Sequence, residues 1–406
     1  MKCRICKNEK LKTFLSLGTT PLANSFLSKE GLKKEEKRFP LELCFCDNCK
    51  LVQLTFIVPS EDMFSNYVYL SSTTKTFQKH FSEMAEHITK SFSLSENSLA
   101  VDIGSNDGIL LKGFQTSNVQ VIGVEPAANV AKIAEENGVE TINDFFNENV
   151  VNEIIKRKGK ADVVTATNVF AHIDDIDSVV ENVKSLLKDE GIYVIEIQYF
   201  ADTIETMTFD NVYHEHMSYY TLSSLDFFFN KHDMQAFRVE RVATHGGSLR
   251  VFAAKKSSKH KVHESIKKLL DYEKSIGIDD FETYRKFGQE VYGVRDKLVD
   301  YIKNIKKQNK KIAAYGAPAK GNTLLNFCNI GKDYIEYIVE DNPLKQGLYA
   351  PGTHIPVVSS KMLDENLPDY ILILAWNFAD EILEKTKKYR EKGVKFIVPL
   401  PKPKIV

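Results

Sequence analysis

The run Val101-Asp102-Ile103-Gly104-Ser105-Asn106-Asp107-Gly108-Ile109-Leu110-Leu111 limits what this chain can fold into more than any other stretch. It begins as a short apolar run, passes through a glycine-punctuated turn and resumes as an apolar helix start. That is the pattern of a buried strand entering a helix through a tight loop. Gly104 and Gly108 let the backbone turn sharply and approach a ligand where a Cβ would clash. A second strand, Val121-Ile122-Gly123-Val124, follows and ends in Glu125-Pro126. A carboxylate there is where a doubly wound fold holds the two hydroxyls of a ribose. Each feature is weak alone, because glycine-rich turns are common and a strand-end acid is often only solvated. Together they predict a nucleoside-bearing ligand.

The charges of the loop narrow that ligand. A dinucleotide site sets pyrophosphate on the helix N-terminus and keeps carboxylates away from it. Asp102 and Asp107 flank the glycines here, which repels phosphate and suits a cationic amino-acid moiety. S-adenosylmethionine has an α-amino group and a sulfonium, and no phosphate. The pattern Asp-x-Gly-x-x-x-Gly followed by an acidic strand end resembles the methyl-donor site of Rossmann-like methyltransferases. Asp102, Gly104, Ser105, Asn106, Gly108, Glu125 and Pro126 are the residues expected around the donor. The strand from Asp162 to Phe170 carries Asn168 at its ligand-facing end, where it would touch donor or substrate. His172, Asp174 and Asp175 follow at the same edge, although a histidine there is often a cap or a surface residue.

With 406 residues the chain is too long for one typical domain. A net charge of -1 argues against a nucleic-acid partner held by bulk electrostatics. No apolar run is long enough to cross a bilayer, and Met1-Lys2-Cys3 does not begin a signal peptide, so the expected location is the cytoplasm. Cys3-Arg4-Ile5-Cys6 and Cys46-Asp47-Asn48-Cys49 offer four thiolates, the ligand set of a closed tetrahedral zinc site. Two disulfides fit a reducing compartment poorly, and a redox Cys-x-x-Cys does not explain two pairs. The zinc is expected to be structural, since four thiolates leave no open position. Cys44 alternates with Phe45 and reads as a strand residue.

The aromatic stretch Met63–Ser72 either packs two domains together or exposes a tyrosine beside a cleft, and an amphipathic helix is expected over 76–90. The densest constellation is Asn211-Val212-Tyr213-His214-Glu215-His216-Met217-Ser218-Tyr219-Tyr220. His-x-His can chelate a metal, but the helical His-Glu-x-x-His spacing is absent. Proton transfer is favoured, with Glu215 orienting an imidazole and a tyrosine stabilising an oxyanion. His245-Gly246-Gly247-Ser248-Leu249-Arg250 reads most simply as a turn before a strand over 249–254; Arg250 and nearby amides could instead hold phosphate. Residues 256–310 have helical period. A last α/β unit opens at Lys311 with Tyr315-Gly316-Ala317-Pro318-Ala319-Lys320-Gly321, a glycine turn with a lysine and no acid, which suits phosphate. Strands over 335–339, 370–375 and 395–398 follow, with Asp341-Asn342 and Trp376-Asn377 at two strand ends.

Over essentially its whole length the chain resembles the bacterial deoxysugar C-methyltransferases that methylate nucleotide-linked 4-keto sugars. The likeness rests on the cysteine-rich start, the Asp102–Gly108 loop, Ala166-Thr167-Asn168-Val169-Phe170-Ala171-His172, Tyr213-His214-Glu215-His216 and Gly316-Ala317-Pro318-Ala319-Lys320-Gly321. It implies an α/β protein in four parts: a zinc-binding module (1–72), a Rossmann-like S-adenosylmethionine domain (73–255), a helical connector (256–310) and a C-terminal Rossmann-like domain (311–406). The last contributes to nucleotide-sugar binding. It further implies zinc on Cys3, Cys6, Cys46 and Cys49, and an active site lined by Tyr67 and His172. Tyr213, Glu215 and His216 stand at the reacting carbon, with His216 the general base. His245, Ser248, Arg250, Tyr315, Lys320 and Asn377 are the candidates for holding the sugar nucleotide. The expected reaction puts a methyl group on a carbon, C3, next to the ketone of a nucleotide-diphosphate 4-keto-6-deoxysugar. An O- or N-methyltransferase, or a sugar-nucleotide binder without turnover, are the alternatives. The oligomeric state stays open, and a monomer is compatible with it.

Overall fold

Among the described residues the chain forms three sheets. A computed structural model describes residues 1–59 and 75–406, so Tyr67 lies outside the described residues. Strands β1 (Leu11–Thr20), β2 (Phe39–Cys46) and β3 (Val52–Leu54) form an antiparallel meander. The alternation in Leu41-Glu42-Leu43 gives β2 a buried apolar side, as the two-residue period of a strand requires. Its register pairs Leu11 with Cys46, which brings the two Cys-x-x-Cys turns side by side.

The central sheet begins with β4 (Leu99–Ile103), β5 (Gln120–Val124), β6 (Thr141–Ile142), β7 (Ala161–Thr167) and β8 (Leu187–Gln198), all parallel. The chain then returns to the N-terminal sheet as β9 (Ser218–Tyr219), which pairs with β3. It re-enters the central sheet as the antiparallel pair β10 (Met234–Val242) and β11 (Ser248–Lys255). The order is β10-β11-β8-β7-β4-β5-β6. β4 is fully buried because helices cover both faces of a parallel sheet. Succession reverses between β4 and β7, so a crevice opens at their C-terminal ends, the usual ligand position in such sheets.

Helices Glu264–Ser275 and Phe281–Lys307 fill the expected helical stretch. The longer one lies against β1 so closely that a Cβ on Gly288 would strike the Phe14 carbonyl. The third sheet comprises β12 (Ile312–Tyr315), β13 (Ile338–Val339), β14 (Val357–Val358), β15 (Tyr370–Ile373), β16 (Lys395–Val398) and β17 (Lys404–Ile405), ordered β14-β13-β12-β15-β16-β17. All but β17 run parallel. It is a second doubly wound sheet with its own switch point, beside Gly316. The N-terminal segment also ties to it: Leu27 bridges Tyr349, and Glu36 accepts from Gly352 N at 2.9 Å and bonds His354 Nε2 at 2.6 Å. No helix among the described residues is long and apolar enough to cross a membrane.

Candidate active site

The glycine loop leaves β4 with Gly104 at φ +66° and enters helix Ile109–Gln115 with Gly108 at φ +79°. A Cβ on Gly104 would sit 2.7 Å from Val169, and one on Gly108 2.8 Å from Val139, so both positions demand glycine for conformation and for space. Asp102 is buried and accepts from Thr165 Oγ1 at 2.6 Å, and burial raises its carboxyl to about 7. Its carboxylate therefore faces into the sheet beside β7. Glu125 at the end of β5 accepts the amides of Asn106 (3.0 Å) and Ala127 (2.8 Å), and burial raises it too. Asn143 donates to the carbonyls of Glu125 and Pro126 and anchors the next turn, where Phe145 is 63% exposed. Ser105 Oγ is buried with no partner among the described residues. Asn168, at φ +56°, turns the chain at the end of β7 and donates its amide to Glu196 O at 2.7 Å. This cradle fits S-adenosylmethionine: two glycines at the crevice, a strand-end carboxylate, an orphan hydroxyl and an exposed aromatic ring.

Across the crevice, the chain after β8 places Tyr213, His214, Glu215 and His216 between all three sheets. The His216 ring lies 4.0 Å from the Tyr213 ring and 4.9 Å from the His172 ring, centroid to centroid. His216 Nδ1 is 2.9 Å from Asn211 O. A carbonyl only accepts, so Nδ1 carries the proton and the lone pair sits on Nε2. Burial lowers His172 to about 4, which keeps that ring neutral. His214 points the other way, toward Phe39 O at 3.3 Å, so the two histidines of the His-x-His pair do not converge.

Three expected roles change. Glu215 was expected to orient an imidazole, but its Oε1 accepts from Asn24 Nδ2 at 2.7 Å and the Lys345 charge acts on it; the Asn211 carbonyl bonds His216 Nδ1 instead. Arg250 was expected to hold phosphate, but its Nε and Nη2 both bind Glu196 Oε2, at 3.0 and 2.8 Å, and the pair is buried. The same Glu196 bonds His80 Nε2 at 2.7 Å. Ser248 Oγ donates to Thr244 O at 3.1 Å and closes its own turn, so it is not presented to a ligand. His245 lies in the turn Thr244–Gly246. Lys320 and Asn377 do come together, 2.5 Å apart, with the lysine 4.2 Å above the Trp376 ring; Tyr315 OH sits apart, on Asp341 at 3.1 Å.

At the N-terminus the Sγ atoms of Cys3, Cys6, Cys46 and Cys49 all lie within 4.8 Å of one another. A tetrahedral zinc with bonds of about 2.3 Å separates its sulfurs by about 3.8 Å, so the four thiols fit the ion. All six cysteines are free, which removes the disulfide reading, and Cys44 sits in β2 outside the cluster.

Three family profiles match the chain: a zinc binding domain at residues 3–64, a methyltransferase domain at 77–236 and a C-methyltransferase C-terminal domain at 243–401. C-methyltransferase NovU from Streptomyces niveus is 35% identical over 405 residues, covering 100% of this chain and 96% of NovU. This chain belongs to the C-methyltransferase family. A ubiquinone biosynthesis O-methyltransferase from Rhodopseudomonas palustris is 30% identical over 110 residues, 27% of this chain and 44% of that one. The magnesium protoporphyrin IX methyltransferase of Synechocystis, solved with bound SAH, aligns at 12% identity and a TM-score of 0.34, over 44% of this chain and 82% of its own. The C-methyltransferase takes its methyl group from S-adenosylmethionine, and its N-terminal domain binds zinc.

Several residues that shape this C-methyltransferase's site gave no local sequence signal. Asn211 and Asn24 act through a carbonyl and an amide; Asp210 and Lys345 belong to loops whose neighbours come from other domains. Arg4, between two zinc ligands, is the furthest from the site in sequence. Its Nη2 donates to Ile173 O (2.6 Å) and Asp174 O (2.8 Å), Nη1 to Asp174 Oδ1 (3.1 Å) and Nε to Ser218 Oγ (3.1 Å). It therefore ties the loop after His172 to the strand after His216.

Two expected outcomes follow from these placements. Arg250→Met removes two hydrogen bonds from the buried Glu196 carboxylate, which keeps His80 and Thr244, and should cost about 1–3 kcal/mol of stability, seen as a lower urea midpoint. Gly104→Ala forces a Cβ onto Val169 in a left-handed backbone, so the donor Kd measured by calorimetry should rise at least about tenfold, the equivalent of ~1.4 kcal/mol.

Proposed function

We propose that this C-methyltransferase methylates the carbon next to the ketone of a nucleotide-diphosphate-linked 4-keto-6-deoxysugar, with His216 as general base. The observation that carries this reading is the 2.9 Å bond from His216 Nδ1 to Asn211 O, which leaves Nε2 basic at the crevice. A C–H carbon is not a nucleophile until its proton leaves, and an adjacent ketone makes that possible by moving charge onto oxygen. Nε2 takes the proton, the C–H electron pair becomes the enolate, and Tyr213 or the neutral His172 donates a hydrogen bond to the developing oxyanion. S-adenosylmethionine supplies the electrophilic methyl group that the enolate carbon accepts. Asp102, Gly104, Ser105, Asn106, Gly108, Glu125 and Asn168 hold it, with Phe145 positioned to cover its base. Held reactants contribute orientation, which lowers the barrier further. Lys320 and Asn377 offer the cation and donor for the nucleotide phosphates on the C-terminal domain.

The test incubates the enzyme with S-adenosylmethionine and a panel of nucleotide-linked 4-keto-6-deoxysugars. Mass spectrometry should find a product heavier by one methylene, and NMR should place the methyl on carbon. Without the methyl donor, in D₂O, the substrate should exchange the proton at that same carbon. A methyl on oxygen or nitrogen, or transfer without any exchangeable C–H, refutes the enolate route.

A further inference from the structure

The turn Phe209–Asn211 belongs in sequence to the central domain, yet the C-terminal domain holds it. Phe209 is fully buried and packs edge-on against Phe327 at 5.6 Å, on helix Ala319–Cys328. Asp210 is fully buried, and its Oδ2 accepts from Trp376 Nε1 at 2.6 Å. That indole, the chain's single tryptophan, is backed on one face by Lys320 Nζ at 4.2 Å. On the central-domain side it stands so close to Gly246 that a Cβ there would touch it at 3.5 Å. The turn's own backbone bonds run to Thr208 and within itself. Its last residue, Asn211, presents the carbonyl that accepts the hydrogen bond from His216 Nδ1.

We infer that Trp376 and Asp210 are positioning residues through which the C-terminal domain sets the tautomer of His216. The inference rests on the reading of His216 as base for its catalytic meaning, but not for its geometry. The Trp376 N–H is the donor that makes the buried Asp210 carboxylate tolerable; Asp210 Oδ1 has no partner among the described residues. Without that donor the buried carboxylate loses its side-chain hydrogen bond and keeps only the neighbouring backbone amides and the Lys320 charge. The turn must then move toward water, and the Asn211 carbonyl moves with it. His216 keeps its ring contacts with Tyr213 and His172 but loses the acceptor that fixes its proton on Nδ1. The domain expected to hold the nucleotide is thus wired to the group that removes the proton.

The test needs no substrate. The full-length protein labelled with ¹⁵N-histidine gives signals from ten histidines, and His216→Asn identifies the one that matters. Wild type should show an Nδ1-protonated ring. Asp210→Asn keeps a carbonyl acceptor for the indole and should look the same. Trp376→Phe should convert the His216 signal to a mixture of both neutral tautomers, and Asp210→Ala should do so from the other side of the bond. In turnover, Trp376→Phe should lower kcat at least about tenfold with the KM for S-adenosylmethionine unchanged, and Asp210→Asn should stay within about threefold of wild type. A bond that only adds stability would lower the melting temperature of Trp376→Phe and leave the His216 signal as it was; that result overturns the inference. Turnover that survives His216→Asn would instead remove the base assignment, with the NMR answer standing on its own.

Discussion

His216→Asn is expected to lower kcat by about 10²–10⁴-fold, the range a positioned general base contributes, while the Kd for S-adenosylmethionine stays within about twofold of wild type. The separation follows from the layout. The donor cradle is built by the ends of β4, β5 and β7, and its hydrogen bonds stay within that sheet's own loops. His216 reaches the crevice from the opposite side, on a loop held by the N-terminal and C-terminal sheets. Asparagine retains a polar side chain of similar reach near Asn211 O but offers no basic nitrogen. The same variant should also stop deuterium exchange at the substrate carbon in the absence of donor. Exchange that persists at the wild-type rate would move the base elsewhere, and His172 is a poor replacement. Its ring is neutral, but its Nδ1 is buried with no partner among the described residues. Wild-type turnover in His216→Asn would end the assignment.

How much of this was legible in the sequence depends on the range of the interaction. The glycine loop, the strand-end Glu125 and the paired Cys-x-x-Cys turns are local patterns, because a tight turn or a chelate is encoded within a few residues. Each appears in the structure where the sequence put it. The helix expected over 76–90 runs from Lys75 to Ser91, and the strand expected over 335–339 shortens to Ile338–Val339. What the sequence did not show is who partners whom. Arg250 looks like a phosphate ligand until β8 is laid beside β11, which sets Glu196 directly opposite it. Glu215 looks like the partner of its neighbour His216, but the two leave a tight turn closed by His216 N to Tyr213 O at 2.9 Å. The carboxylate turns to Asn24, 191 positions away in sequence. The anchor of His216 is a backbone carbonyl, and every residue has one, so no residue type announces it.

Removing the zinc is expected to have the second large effect, and to reach the chemistry although the metal lies outside the crevice. The ion contributes cross-linking, with no open coordination position for a substrate when four thiolates hold it. Isolated zinc-finger peptides gain about 10–16 kcal/mol from their metal. Here the β1–β2–β3 sheet also leans on helix Phe281–Lys307, so only part of that energy should be at stake. Even ~4 kcal/mol lowers the melting temperature by about 8–16 °C, at roughly 2–4 °C per kcal/mol in domains of this size. The catalytic consequence runs through Arg4. Its backbone amide is fixed by Gln53 Oε1 at 2.8 Å and its guanidinium spans the His172 loop and Ser218. Its position is set by Cys3 and Cys6 on either side. When the knuckle opens, the guanidinium lets go, and the two loops that keep the His172 and His216 rings 4.9 Å apart lose their side-chain tie and keep the Met217 N to Ala171 O bond at 2.9 Å. Cys49→Ser, or the wild type stripped by a chelator, should therefore lose zinc by elemental analysis, melt lower and fall at least about tenfold in kcat. Donor affinity should change less than about threefold, because the cradle takes nothing from the zinc module. Arg4→Lys separates the two effects. It should keep zinc and most of the stability, yet lose turnover, since one ammonium cannot reproduce a fork that reaches four acceptors. A zinc-free enzyme that turns over at the wild-type rate would show that the knuckle holds only itself.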